Sequence, residues 1–86
     1  MKRNLLITAR ADITVNTCIA PGIYNIVGNF TGLPINYYGM LFVSGNQTSV
    51  QQVYKPDGYK SLYWRYSSDV KSKPLSGVSW TVMVSA

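Results

Sequence analysis

Few residues of this chain could carry out covalent chemistry, and they are badly placed for it. Cys18 is the sole cysteine and histidine is absent, so a thiol nucleophile has no imidazole to take its proton. The three carboxylates, Asp12, Asp57 and Asp69, are scattered and do not make the paired acid and base of a glycosidase. Without histidine, and with one thiol, the usual zinc ligand set is missing. No glycine-rich phosphate loop occurs. An enzyme, a bound metal and a cofactor are therefore not expected. The residues that could act are Gln51, Lys55, Tyr59, Tyr63 and Arg65. Flat rings beside amide and guanidinium donors can stack on sugar rings and bond hydroxyls or acidic groups. Tyr and Arg are also enriched in protein interfaces.

These five belong to residues 51–66, which the rest of the chain must position. Pro56-Asp57-Gly58 divides that stretch. Proline pre-sets the backbone angle of a turn and glycine accepts the left-handed conformation that closes it, so the stretch predicts a β-hairpin. A three-residue loop pairs Lys55 with Tyr59. One face then carries Val50, Gln52, Tyr54, Lys60, Leu62 and Trp64, and holds most of the apolar bulk, so it is assigned to the core. The other carries Ser49, Gln51, Val53, Lys55, Tyr59, Ser61, Tyr63 and Arg65. This second face reads as cross-strand pairs that stabilise the sheet, as a contact with another chain, or as a ligand surface. Trp64 and Trp80 are both expected in the core.

The 86 residues make one domain. A chain of this length buries only about 60–65% of the surface its unfolded form exposes, and small domains compensate with disulfides, metals or oligomerisation. With disulfide and metal set aside, a homo-oligomer is expected. The net charge of +5 comes from dispersed Lys and Arg residues, Lys2-Arg3 being the only adjacent pair. That spacing, with only 13% charged residues, speaks against nucleic acid as partner, although a small nucleic-acid-binding barrel remains an alternative for the Tyr63-Trp64-Arg65-Tyr66 run. Arg10 and Asp12 interrupt the apolar stretch that begins at Leu5, so no secretion signal is expected. No apolar run approaches the roughly 20 residues of a membrane span.

Period-two alternation over Leu5–Val15 predicts one strand or two short ones in line, with Ala9 and Ala11 leaving room for close packing. Ile23–Gly28 follows the Pro21-Gly22 turn as a short strand with Tyr24 and Ile26 on one face. Residues 29–36 read as a loop. Tyr37–Val43 is apolar on both faces and so should be covered on both, the second cover being another chain, with Gly39 marking a bulge or a close backbone approach. Residues 67–77 read as a mobile surface loop, and Val78–Val84 as the last strand. The sum is an all-β domain of about six mostly antiparallel strands, a knob-like sandwich or barrel. Asn29-Phe30-Thr31 and Asn46-Gln47-Thr48 fit the glycosylation pattern by chance.

Pro21-Gly22-Ile23-Tyr24, Leu33-Pro34, Tyr38-Gly39-Met40-Leu41-Phe42-Val43-Ser44, Gln51-Gln52-Val53-Tyr54, Tyr63-Trp64-Arg65-Tyr66 and Ser79-Trp80 occur in the order seen in the pyocin-knob type domains of phage and R-type pyocin tail fibres. Over residues 15–84 the chain resembles that family. One departure is that Thr81-Val82-Met83-Val84 stands where many members carry a second Trp. The resemblance implies a β-rich knob, trimeric, in a virion tail fibre or surface appendage, that mediates attachment to a bacterial surface glycan through Gln51, Lys55, Tyr59, Tyr63 and Arg65. The alternative is a trimerisation or fibre-capping subunit that contacts other virion proteins and has no ligand of its own.

Overall fold

The computed structural model describes residues 6–8, 14–27 and 30–84. Six strands lie in chain order in one sheet: β1 (Leu6–Thr8), β2 (Gly22–Ile26), β3 (Gly39–Gly45), β4 (Val50–Pro56), β5 (Leu62–Ser67) and β6 (Thr81–Val84). β1 runs parallel to β2, and every later pair is antiparallel. The domain is all-β, as its alternating patterns require. Its layering is one sheet: among the described residues β1 and β6 do not pair with each other, so it neither closes into a barrel nor splits into two sheets.

Antiparallel pairing puts every second residue on the same face. One row across the sheet reads Tyr24, Leu41, Tyr54, Tyr63, and the next reads Gly22, Val43, Gln52, Arg65. This face is covered by connections rather than by a second sheet. Short 3-10 turns at Val15–Thr17 and Leu75–Gly77 lie among them, and Val15, Cys18, Phe30 and Leu75 join Ile26, Leu41, Val50 and Tyr54 in the core. Burying an aliphatic or aromatic side chain of this size stabilises by about 1.5–3 kcal/mol.

Two expectations change here. Residues 67–77 are docked, not loose: Leu75 is buried, and Ser67 Oγ donates to the Lys73 carbonyl at 2.6 Å. Val15 belongs to a 3-10 turn rather than a strand, because Thr14 caps that turn by accepting from the Asn16 amide. Of the strand expected over Leu5–Val15, Leu6–Thr8 is β1, and Ala9 and Ala11 lie outside the described residues. Gly39 marks a close approach, since a Cβ there would sit 2.4 Å from the Lys55 carbonyl oxygen on β4. Asn46 has a turn to hold: its Oδ1 accepts from the amides of Thr48 and Ser49 at 3.0 and 2.8 Å.

Candidate functional site

The expected site does not assemble on one face. Tyr54 pairs with Tyr63 and Val53 with Trp64, a three-residue displacement from the pairing that a Pro56-Asp57-Gly58 loop would impose. The cause is loop length, because Asp57 to Ser61 all lie outside the strands. An odd displacement moves every side chain of one strand to the opposite face. Gln51 and Lys55 therefore keep the outer face, while Tyr63 and Arg65 turn to the core. Tyr59 lies in the hairpin loop, exposed, with its ring edge-on to Tyr37.

Arg65 is now the centre of a buried polar cluster. Its Nε donates to Gln52 Oε1 at 2.8 Å and one terminal nitrogen donates to the Leu75 carbonyl at 2.9 Å. Gln52 Nε2 in turn donates to the carbonyls of Val15 and Cys18 at 2.8 and 2.9 Å. The guanidinium carbon lies 4.3 Å from the centre of the Trp80 ring, and Trp80 Nε1 donates to the Gly32 carbonyl at 2.7 Å. The strand pair thereby ties down two covering segments, at Val15–Cys18 and at Leu75, and Trp80 ties down a third at Gly32. Burial pushes the Arg65 pKa down to about 10. Such a residue fastens the fold and is not available on the surface. Tyr63 packs beside Tyr54 with ring centres 6.4 Å apart. Cys18 is a buried thiol whose pKa burial pushes up, the nearby Arg65 charge opposing.

The outer face is where the sheet meets solvent. Its central row crosses four strands as Ile23, Phe42, Val53 and Trp64. Phe42 is 41% exposed, and the other three are half-buried. To one side lie Asn25, Met40 and Lys55; to the other, Ser44, Gln51 and Tyr66. Trp64 and Tyr66 are stacked, with ring planes 3° apart and centres 6.4 Å apart. Trp64 Nε1 donates to Gln51 Oε1 at 2.9 Å, and the Tyr66 hydroxyl shares a hydrogen bond with Ser49 Oγ at 3.0 Å. Lys55 is the only charged residue in these three rows, and its Nζ donates to the Pro56 carbonyl at 2.7 Å. An apolar centre with a polar rim and few charges is the composition of an interface between chains.

Trp64 was assigned to the core because bulky rings are normally placed inward, and Tyr66 was placed on neither face, whereas Phe42 lies on the second apolar face of a strand expected to be covered by another chain. A signal was present in Gln52: a glutamine assigned to the core face needs a buried polar partner, and Arg65 can supply one only if β5 is turned over. Trp80 packs against the core as expected. Elsewhere, a cavity of about 200 Å³ is lined by Asn16, Thr17, Ile19, Val70, Pro74 and Leu75, smaller than the roughly 300 Å³ at which ligand pockets begin. Among the described residues, no group of side chains could hold a metal ion and no helix is long and apolar enough to cross a membrane. No protein-family model, curated protein or solved structure matches the chain.

Proposed function

We propose that the chain is a non-enzymatic knob module that assembles with copies of itself through the outer sheet face, within a surface appendage of the tail-fibre kind, and contributes to attachment at a bacterial surface. The observation that carries the assembly is the apolar row Ile23, Phe42, Val53 and Trp64, of which Phe42 is exposed and the other three only half-buried in the single chain. A second copy suits this face better than an unrelated anionic partner. Copies with a net charge of +5 repel one another, so a self-contact has to avoid lysine and arginine, and among the described residues the three rows of this face hold Lys55 alone, near one end. The bacterial partner and the count of three chains rest on the sequence resemblance over residues 15–84.

A second reading, direct attachment to a glycan through this same face, is favoured by one feature. The stacked Trp64 and Tyr66 rings, with the Gln51 amide beside them, form a platform on which a pyranose could lie. The two readings are separated by the mass of the purified chain in solution, measured by light scattering. Assembly predicts a stable multiple of the chain mass, three being expected. A monomer at micromolar concentration that binds glycans and loses them on Trp64→Ala would overturn the assembly and leave the platform.

A further inference from the structure

The loop end of the β4–β5 hairpin carries a second aromatic group, separate from the outer face. Tyr37, Tyr38 and Tyr59 are 46%, 54% and 47% exposed. The Tyr37 ring lies edge-on to both others, with centres 6.1 Å from Tyr38 and 5.6 Å from Tyr59. Their backbone is pinned from below: the buried Tyr54 hydroxyl donates to the Tyr37 carbonyl, the Asp57 amide to the Tyr38 carbonyl at 2.8 Å, and the Tyr59 amide to the Pro56 carbonyl at 3.4 Å. None of the three tyrosine hydroxyls bonds to another described residue. Three large rings are thus held in a fixed arrangement, half in water.

We infer that this tyrosine tip is a saccharide-binding site. A pyranose has C–H faces that pack on rings and hydroxyls that bond to phenols and charged groups, and the tip offers both, with exposed Asp57 and Lys60 in the same loop as Tyr59. A folded protein partner fits less well, because a stable protein interface takes roughly 800 Å² from each side and three half-exposed rings supply a fraction of that. Nucleic acid fits less well again: bases stack on parallel platforms, whereas the Tyr37 ring stands at 72° to Tyr38 and 73° to Tyr59, and the Asp57 carboxylate in the same loop disfavours phosphate. The inference rests on the attachment half of the proposed function and gives it a surface outside the three rows of the outer face.

The test is an array of defined oligosaccharides built from neutral hexoses, N-acetylhexosamines and uronic acids, with a decaproline peptide as an additional spot, probed with the full chain. Binding to at least one saccharide class is expected, weakened at least fivefold by both Tyr38→Leu and Tyr59→Leu, which keep apolar bulk but remove the ring. No saccharide binding, a smaller loss in either variant, or capture by decaproline alone would overturn the site. Should a variant melt early, amide shifts of the wild-type chain on titration with its best array ligand decide the matter. They must centre on Tyr37, Tyr38, Asp57 and Tyr59, and shifts centred on the outer face sink the inference. Solution mass reports on the outer face alone. An assembled chain that binds no saccharide removes the tip and keeps the seam, and a monomer that binds through these tyrosines does the reverse.

Discussion

Arg65 and Gln52 stand opposite each other on adjacent strands, both buried, with the guanidinium Nε 2.8 Å from the glutamine Oε1. Together they bond the carbonyls of Val15, Cys18 and Leu75, so the connections that cover the sheet are fastened from beneath.

Removing this guanidinium should therefore cost stability. Arg65→Ala leaves Gln52 Oε1 and the Leu75 carbonyl without their donor and opens a cavity beside Trp80. A buried acceptor left without its donor costs about 1–3 kcal/mol, and urea denaturation should show a loss of at least that order. Arg65→Lys should recover little, because an ammonium cannot reproduce the planar fork that reaches both acceptors. A variant that unfolds at the wild-type midpoint would show that the cluster contributes nothing.

The same pair explains what the sequence conveyed. Local alternation was enough for the all-β class and for putting Tyr24 and Ile26 on one face, and a glycine inside an apolar strand was enough to mark Gly39 as a bulge or a close approach. Which face of β5 points inward was not local, because it depended on whether Tyr59, Lys60 and Ser61 extend the loop or join the strand. Nor does composition show that Leu75, within a polar and proline-containing stretch, plugs the core. That follows only from the packing of the covering segments.

Substitution on the outer face should separate assembly from folding. Phe42 is part exposed in the single chain, so Phe42→Lys leaves the core intact while placing a charge in the middle of the apolar row. The expected outcome is a drop in light-scattering mass to that of one chain with the β-sheet circular dichroism spectrum retained. Trp64→Lys should do the same and additionally free the Gln51 amide. If both variants keep the wild-type mass, the chains meet elsewhere.

Two glycines should respond for different reasons. Gly58 has φ +75° and no atom within 4 Å of a built Cβ, so Gly58→Ala costs only the left-handed backbone, about 1 kcal/mol. At Gly39 the backbone angle is ordinary but the new methyl meets the Lys55 carbonyl at 2.4 Å and the Pro56 Cα at 2.8 Å. Neighbours that are backbone atoms cannot swing aside, and Gly39→Ala should cost about 2 kcal/mol or more. Paired thermal melts of the two variants give the comparison, and equal losses would show that the sheet yields at Gly39.

Alkaline pH should set Tyr54 and Arg65 against each other. Burial, reinforced by the Asp57 carboxylate, pushes the Tyr54 pKa from its ordinary 10.0 up to about 12. The unfolded chain then loses this proton before the folded one does, so the stabilisation is complete below about pH 10 and is lost as pH rises through about 12. Arg65 has the opposite sign: burial lowers it from its ordinary, higher value to about 10. Its buried-charge penalty is complete below that pH and is relieved as pH rises above it toward the ordinary arginine value. The thiol of Cys18 and the phenol of Tyr24, both raised by burial, add to the falling side. The wild-type urea midpoint should thus decline gently above about pH 9. Tyr54→Phe removes the largest falling contribution, so its midpoint, although lower at neutral pH for want of the bond to the Tyr37 carbonyl, should decline less across this window. Arg65→Met should decline more steeply than wild type. Parallel curves for the three proteins would mean that neither group titrates differently in the folded and unfolded chain.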